Sequence, residues 1–173
     1  AEEVLRQNLD ALGGPSADGA TIQNRISFVT SAAWAGFACA DLGEFDTAID
    51  YLDQASRVAK ATGHPYPQVI AQTMAGLVHL RRGQLEQALP LLAESVDACR
   101  DKGLDVWRPI PSSLLGLARV RLGQIDEGLA LLEESVSRTE ALGVRAYLAL
   151  WTAHLAEGFL AAGQIDRAAA VAH

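Results

Sequence analysis

The sequence predicts an all-α fold built from helix pairs that repeat every 40 residues. Two observations support this prediction: one short segment occurs four times, and glycine recurs at a fixed interval. The segment reads LGEFDTAIDYL at 42–52, RGQLEQALPLL at 82–92, LGQIDEGLALL at 122–132 and AGQIDRAAAVA at 162–172. Recurrence at a fixed period is typical of repeat proteins, in which each unit buries its apolar face against its neighbours.

The glycine pattern predicts where the helices end. Glycine adopts a left-handed backbone at little cost, so it commonly follows the last residue of a helix. The chain therefore alternates between predicted helices and turns, with a first and a second helix in each 40-residue unit. The turn glycines follow one another every 20 residues at Gly43, Gly63, Gly83, Gly103, Gly123, Gly143 and Gly163.

The apolar spacing of the second helices predicts one buried face. After Gly43, apolar residues follow at Phe45, Ala48, Ile49 and Leu52. These positions are three or four residues apart, which places their side chains on one side of an α-helix. The same spacing recurs after the turns at 83 and 123, so the second helices are predicted to be amphipathic.

A small residue precedes each first-to-second turn by seven positions. A glycine in the middle of a helix costs about 1 kcal/mol relative to alanine. Its recurrence in one register therefore predicts that a neighbouring helix approaches closely there. The residues are Gly36, Gly76, Gly116 and Ala156.

The charge balance excludes some partners. The chain has 14 Lys and Arg against 21 Asp and Glu, a formal net charge of -7, so it lacks the positive footprint of a nucleic-acid binder. No signal peptide is visible, and the most apolar window, 146–162, is interrupted by His154 and Glu157. We therefore expect a cytoplasmic protein without a membrane partner.

Motifs for metal binding, cofactor binding and catalysis are missing from the sequence. Cys39 and Cys99 form no CxxC pair, which favours buried, reduced thiols. The patterns GxSxG, HExxH, GxxxxGK[ST] and GxGxxG are not found, and the glycine-rich segment at 13–19 lacks the lysine of a phosphate-binding loop. The prediction is a non-enzymatic chain with no cofactor and no metal site.

The pattern of small and apolar residues resembles the tetratricopeptide repeat. In the first full unit this pattern consists of Gly36, Gly43, Phe45 and Ala48, and it returns in the later units. The period of 40 departs from the 34 residues of the common repeat. The tryptophan often seen early in the first helix is replaced at Ala32, Gln72, Ser112 and Thr152. The resemblance implies a right-handed α-α superhelix of about four and a half helix pairs.

We expect one repeat domain over 1–173. Within it, 1–12 is predicted to be the second helix of a preceding unit, 13–24 a loop, 25–63, 64–103 and 104–143 full repeats, and 144–173 a truncated last repeat. Neither end resembles the capping element of a solenoid. The chain is therefore expected to be a piece of a longer array, and self-association through uncapped ends is an open alternative.

The chain resembles one branch of the family in particular. The features that carry this resemblance are the long period, the segment GHPYP at 63–67 and the segment LRRGQLEQAL at 80–89 in the second unit. This branch comprises the repeat arrays of large bacterial signalling proteins, in which an ATPase module is linked to a nucleotide cyclase or to a helix-turn-helix DNA-binding domain. The resemblance implies a regulatory module that binds a protein or peptide. A sensor for a small-molecule inducer and a stand-alone adaptor remain alternatives.

The groove of a tetratricopeptide array is lined by its first helices, and the resemblance places the partner there. The basic residues Arg81, Arg82, Arg108, Arg119 and Arg121 favour an acidic or phosphate-bearing ligand, although several of them also suit the helix dipole. The predicted groove residues are Thr30, Ala33, Phe37, Asp41, Ile70, Thr73, Leu77, Arg81, Ile110, Ser113, Leu117, Arg121, Leu150, Ala153 and Glu157.

Aromatic residues in or near the first helices could anchor a ligand or pack between repeats. Trp and Tyr dominate binding hot spots, but they also fill helix interfaces. These residues are Trp34, Phe37, Trp107, Tyr147 and Trp151. His79 and His154 each stand alone on a first helix and are predicted to be hydrogen-bonded or solvated side chains rather than ligands or bases.

Overall fold

A computed structural model describes residues 4, 7, 9, 10 and 21–172. This part of the chain contains helices and no strand, which confirms the predicted all-α class. Its helices from Ile22 onward are α1 Ile22–Asp41, α2 Phe45–Thr62, α3 Pro65–Arg81, α4 Leu85–Asp101, α5 Pro109–Arg121, α6 Ile125–Ala141, α7 Leu148–Ala161 and α8 Ile165–Val171.

The start of α1 corrects one predicted boundary. The side chain of Thr21 accepts a hydrogen bond from the backbone N–H of Asn24 at 3.2 Å, which caps the first turn. The helix therefore begins at Ile22, inside the segment 13–24 that was predicted to be a loop. The described residues 4, 7, 9 and 10 are helical, and the rest of 1–20 lies outside the described residues.

The turn glycines confirm the predicted helix ends. All seven have a left-handed backbone, with φ between 65° and 81°. At the turn after α1, the N–H of Glu44 donates to the carbonyl of Cys39 at 2.8 Å, and Gln124 bonds Arg119 in the same way at 2.9 Å after α5. This six-residue closure satisfies a carbonyl that the helix leaves without an internal partner.

The chain divides into two compact units, Ala1–Gln84 and Leu85–His173. In the first unit, α1 packs against α2 and α3, and α2 packs against α3. In the second unit each helix from α5 onward packs against the next, α4 packs against α5, and α5 also contacts α7. The expectation of a single repeat domain over 1–173, with its repeat boundaries, remains a prediction.

Two of the small residues in the predicted register, Gly36 and Gly116, lie at close helix contacts. A Cβ on Gly36 would lie 3.0 Å from Leu52 Cγ, so α1 and α2 approach closely. A Cβ on Gly116 would lie 2.8 Å from the carbonyl oxygen of Gly128, so α5 and α6 are closer still. Because packed interiors leave little spare volume, a methyl group at either position must displace its neighbours.

The second unit has a continuous apolar core where α5 to α8 meet. Val120, Leu132, Leu155 and Phe159 are buried there, together with Leu129 and Ala168. Ser135 lies in the same helix as Leu132, and its hydroxyl donates to the carbonyl of Pro109 at 2.6 Å. This bond ties the middle of α6 to the start of α5.

Candidate partner-binding surface

The predicted groove residues divide into a buried set and a reachable set. The buried set is Ala33, Ile70, Thr73, Leu77, Ser113 and Leu117. Thr30, Phe37, Ile110, Leu150 and Glu157 are half-buried, whereas Asp41, Arg81, Arg121 and Ala153 are exposed. A partner that docks on the folded units can therefore touch only the second set, and the buried side chains support it from beneath.

In the first unit, the exposed charges of α1 and α3 pair with each other. Arg81 Nε lies 3.3 Å from Asp41 Oδ1, and both side chains keep about a third or more of their surface exposed, at 34% and 44%. Both residues are the last in their helices, one repeat apart. Phe37 lies one helical turn before Asp41, and its ring contacts Trp34 edge-on at 5.7 Å between ring centroids.

In the second unit, Arg121 and Glu157 form a two-pronged ion pair. Arg121 Nε donates to Glu157 Oε1 at 2.8 Å, and Nη2 donates to Oε2 at 3.1 Å. Such forked contacts fix the guanidinium more firmly than a single contact does. The pair joins the end of α5 to α7.

The other arginines of the basic set also have partners within the chain. Arg108 contacts Glu134 at 3.2 Å, and Arg119 contacts Glu127 at 2.6 Å. The guanidinium of Arg82 lies over the ring of Phe45, 5.9 Å from its centroid. The positive charge that the sequence concentrates in the first helices is therefore largely balanced by neighbouring carboxylates.

Both histidines of the first helices are hydrogen-bonded. His79 Nδ1 donates to Gln84 Oε1 at 2.8 Å. His154 Nδ1 and Ser113 Oγ lie 3.0 Å apart, both buried, and share a hydrogen bond between α7 and α5. Because this serine–histidine contact is buried, its geometry suits a structural link between α5 and α7. The two residues are 41 positions apart in the sequence, which is one repeat period plus one residue, so the period could have indicated that they lie close together.

Three of the aromatic residues meet around one cavity in the second unit. Trp107, Tyr147 and Trp151 line a space of about 180 Å³ together with Ile110. The rings of Tyr147 and Trp151 lie 5.9 Å apart. The sequence drew attention to these rings, but it gave no signal for the other lining residues, which include Val106, Leu142 and Ala146.

Other kinds of site find no support in the part of the chain that the structure describes. No cluster of three or more His, Cys, Asp or Glu side chains is placed to hold a metal ion among these residues. Within the same residues, no helix has both the length and the apolar character needed to cross a membrane.

Comparisons with known proteins agree with this architecture. The family model described as tetratricopeptide repeat matches residues 29–101, the part of the chain from α1 to α4. No curated protein matches the chain.

Two solved structures show the same fold. One is a variant of nearly identical TPR-like repeats assigned to a kinesin light chain of Podosopora anserina, with a TM-score of 0.64 and 21% identity over 98% of this chain and 81% of that one. The other, a structure of repeats with the same description, has a TM-score of 0.58 and 19% identity over 99% of this chain and 92% of that one. The helix pairs of this chain therefore have the fold of these TPR-like repeats. Tetratricopeptide repeats generally bind proteins or peptides, and the fold is typically non-catalytic.

Proposed function

We propose that this chain is a non-enzymatic interaction module that binds an acidic segment of a partner protein on the exposed ends of its first helices. The observation that carries the proposal is the pair of exposed arginines, Arg81 and Arg121, each held by a carboxylate of its own unit. A partner carboxylate binds by taking the place of Asp41 or Glu157. The half-buried Phe37, one helical turn before Asp41, offers apolar contact beside the first of these pairs.

Arg81 should exchange its internal carboxylate for a partner carboxylate more readily than Arg121. Its contact with Asp41 is one bond of 3.3 Å, whereas Arg121 has two bonds to Glu157 of 2.8 and 3.1 Å. Exposed ion pairs contribute only about 0 to 1 kcal/mol, so a competing carboxylate has little to overcome. The shorter and forked pair resists exchange more strongly.

The test measures binding of the full chain to acidic, neutral and basic peptide pools by fluorescence anisotropy at low and at physiological salt. Arg81→Glu is expected to weaken binding of the acidic pool by about tenfold, which corresponds to about 1.4 kcal/mol. Asp41→Asn should act in the opposite direction, because it removes the internal competitor. The matched control is Arg57→Glu, which changes an exposed arginine on the second helix α2 of the same unit.

Two results would reject the acidic partner. One is equal or stronger binding of the basic pool. The other is an acidic-pool affinity that Arg81→Glu and Arg57→Glu lower to the same extent, since this would reflect only the net charge of the chain. An opposite response to Asp41→Asn and Arg81→Glu separates a specific contact from general attraction.

We also propose that the module works in the cytoplasm as a regulatory part of a larger bacterial signalling protein. The support is the resemblance of the long repeat and of GHPYP at 63–67 to arrays linked to an ATPase. Partner binding would shift an output domain between two states by its differential affinity for them. Deleting the repeats from the parent protein should then change its response to inducing conditions, and an identical response with and without them would exclude this role.

A further inference from the structure

The aromatic cavity of the second unit is separate from the charged ends of the first helices. It lies where the loop after α4, the end of α6 and the loop before α7 come together, and its volume is about 180 Å³. It is a surface cleft rather than a closed void, because its lining side chains Val106, Leu142 and Tyr147 are exposed.

The lining determines which chemistry the cavity can accept. Two indole rings, from Trp107 and Trp151, and the phenol ring of Tyr147 face it, and no charged side chain is among the lining residues. The hydroxyl of Thr139, which also lines it, already donates its proton to the carbonyl of Ser135 at 2.7 Å. An anion placed here would lose its hydration without gaining a donor, so the ligand carries no negative charge.

The size of the cavity suits a ligand of one ring or two fused rings. An apolar protein cavity of about 150 Å³ is known to hold benzene, and the space here, about 180 Å³, is somewhat larger. Aromatic rings gain from offset or edge-on contacts with other rings beyond the area they bury. Three aromatic rings around one small space thus favour a planar aromatic occupant over an aliphatic one of equal volume.

The mouth of the cavity has an unusual backbone. Among the described residues, Tyr147 is the one non-glycine residue with a left-handed backbone, at φ 66°. Bulky residues rarely adopt this conformation, and such strain is concentrated at ligand clamps and functional sites. The side chain of Tyr147 remains 41% exposed and lies next to Trp151. Val106 and Leu142, which also line the cavity, are 69% and 42% exposed.

We infer that this cavity binds a free aromatic molecule of one ring or two fused rings that carries no negative charge. The site is independent of the acidic-peptide surface proposed above. It gives the second unit a small-molecule ligand of its own.

The experiment uses the full chain and indole as the probe, followed by isothermal titration calorimetry and by saturation-transfer NMR of the indole protons. Saturable binding at one site is expected. Ala146→Phe should weaken it by about tenfold or more, because the new ring fills the space from the lining, and Ala149→Phe on α7 is the matched control outside the lining. Val106→Asp provides a second blocking variant, since it places a charge at an exposed lining position.

Three further probes define the chemistry. Indole-3-acetate should bind at least about tenfold more weakly than indole because of its charge. Cyclohexanol should also bind more weakly, and equal binding of cyclohexanol would overturn the aromatic class. If N-acetyl-tryptophanamide bound but indole did not, the ring would have to come from a peptide and the inference would be wrong. Indole binding that neither Ala146→Phe nor Val106→Asp weakens would likewise overturn it.

Discussion

The two units build the same kind of helix contact with different spacing. In the first unit, Gly36 of α1 faces Ala48 and Leu52 of α2, and an added Cβ would lie 3.1 Å from the Ala48 carbonyl oxygen. In the second unit, Gly116 of α5 faces another glycine, Gly128, and an added Cβ would lie 2.8 Å from the carbonyl oxygen. One methyl group on the second helix thus separates a close contact from a nearly direct meeting of backbones.

The units also differ in how their buried second helices are tied down. Ala55 of α2 is buried and carries no polar group, whereas Ser135 occupies the equivalent register of α6 and donates to the Pro109 carbonyl at 2.6 Å. The second unit therefore combines closer packing with a buried hydrogen bond. Its stability depends more on individual side chains, and the predictions below test this difference.

The largest effect is expected from Gly128→Ala. Its Cβ would lie 2.6 Å from Val120 Cγ2 and 2.7 Å from the Gly116 carbonyl oxygen. Overpacking of this kind costs about 1 to 3 kcal/mol or more, while the helix propensity of alanine returns about 1 kcal/mol. We expect a net loss of about 2 kcal/mol in urea unfolding.

The matched substitution in the first unit is Gly36→Ala. Its closest neighbour would be Leu52 Cγ at 3.0 Å, the branch of a side chain rather than a backbone atom. Because the gain in helix propensity nearly offsets the crowding, the free energy of unfolding should stay within about 1 kcal/mol of the parent chain. Equal losses from Gly36→Ala and Gly128→Ala would contradict the difference in helix spacing.

A loss smaller than that of Gly128→Ala is expected from Ser135→Ala, which gives α6 the residue that α2 has at this register. The Pro109 carbonyl would lose its buried donor, at a cost of about 1 to 2 kcal/mol in the free energy of unfolding. Ser137→Ala is the control, since this serine is exposed on the same helix and should change stability by less than about 0.5 kcal/mol. A loss no larger than that of the control would show that the bond contributes nothing net.

The ion pairs Arg121–Glu157 and Arg81–Asp41 should differ in coupling energy by a few tenths of a kcal/mol. A double-mutant cycle for Arg121 and Glu157 is expected to give a coupling of about 0.5 to 1 kcal/mol, because their contact is forked. The cycle for Arg81 and Asp41 should give about 0.3 kcal/mol or less from its single 3.3 Å contact. Both couplings should fall in high salt, and a stronger coupling for Arg81 would reverse the order of exchange proposed for the partner.

The thiol of Cys99 in α4 makes the stability of the second unit depend on alkaline pH. Burial, as the main cause, raises the pKa of Cys99 to about 11 from 9.0; the nearby Arg108 charge lowers the pKa and the Asp105 charge raises it. The folded chain thus keeps the thiol protonated where the unfolded chain ionises it. The corresponding stability is present below pH 9.0 and is lost as the pH rises to about 11.

Thermal unfolding at neutral pH and at about pH 10 tests this dependence. The parent chain should lose more in Tm between the two conditions than Cys99→Ala, which removes the titrating group. The variant also serves as the control for tyrosines and lysines that titrate in the same range. Parallel losses in the two proteins would show that Cys99 does not contribute.

Most of the helical framework follows from local sequence. Each turn glycine takes the left-handed backbone because glycine alone does so cheaply, and the apolar spacing selects the buried face of the following helix. The Arg81–Asp41 ion pair could also be anticipated from the sequence, since the two residues lie one period apart at the ends of their helices.

The candidate sites were less predictable, because they depend on contacts between distant segments. Burial of Thr73 and Leu77 follows from neighbouring helices and not from their own positions, and the sequence placed both on a reachable face. The left-handed backbone of Tyr147 could not be predicted from the sequence, because bulky residues rarely adopt this conformation. The aromatic cavity needs the paths of two loops and a helix end, which no periodicity encodes.

The self-contained glycine turns have a consequence for how such a gene can change. The turns after α1 and α5 are each closed by a hydrogen bond between residues five positions apart. The residues that end one helix and begin the next therefore lie within one short segment of the chain. Duplicating or deleting a whole 40-residue unit leaves every remaining stretch intact. Such an array can lengthen or shorten by recombination while each surviving joint keeps its shape, and selection can then act on the number of units as well as on their side chains.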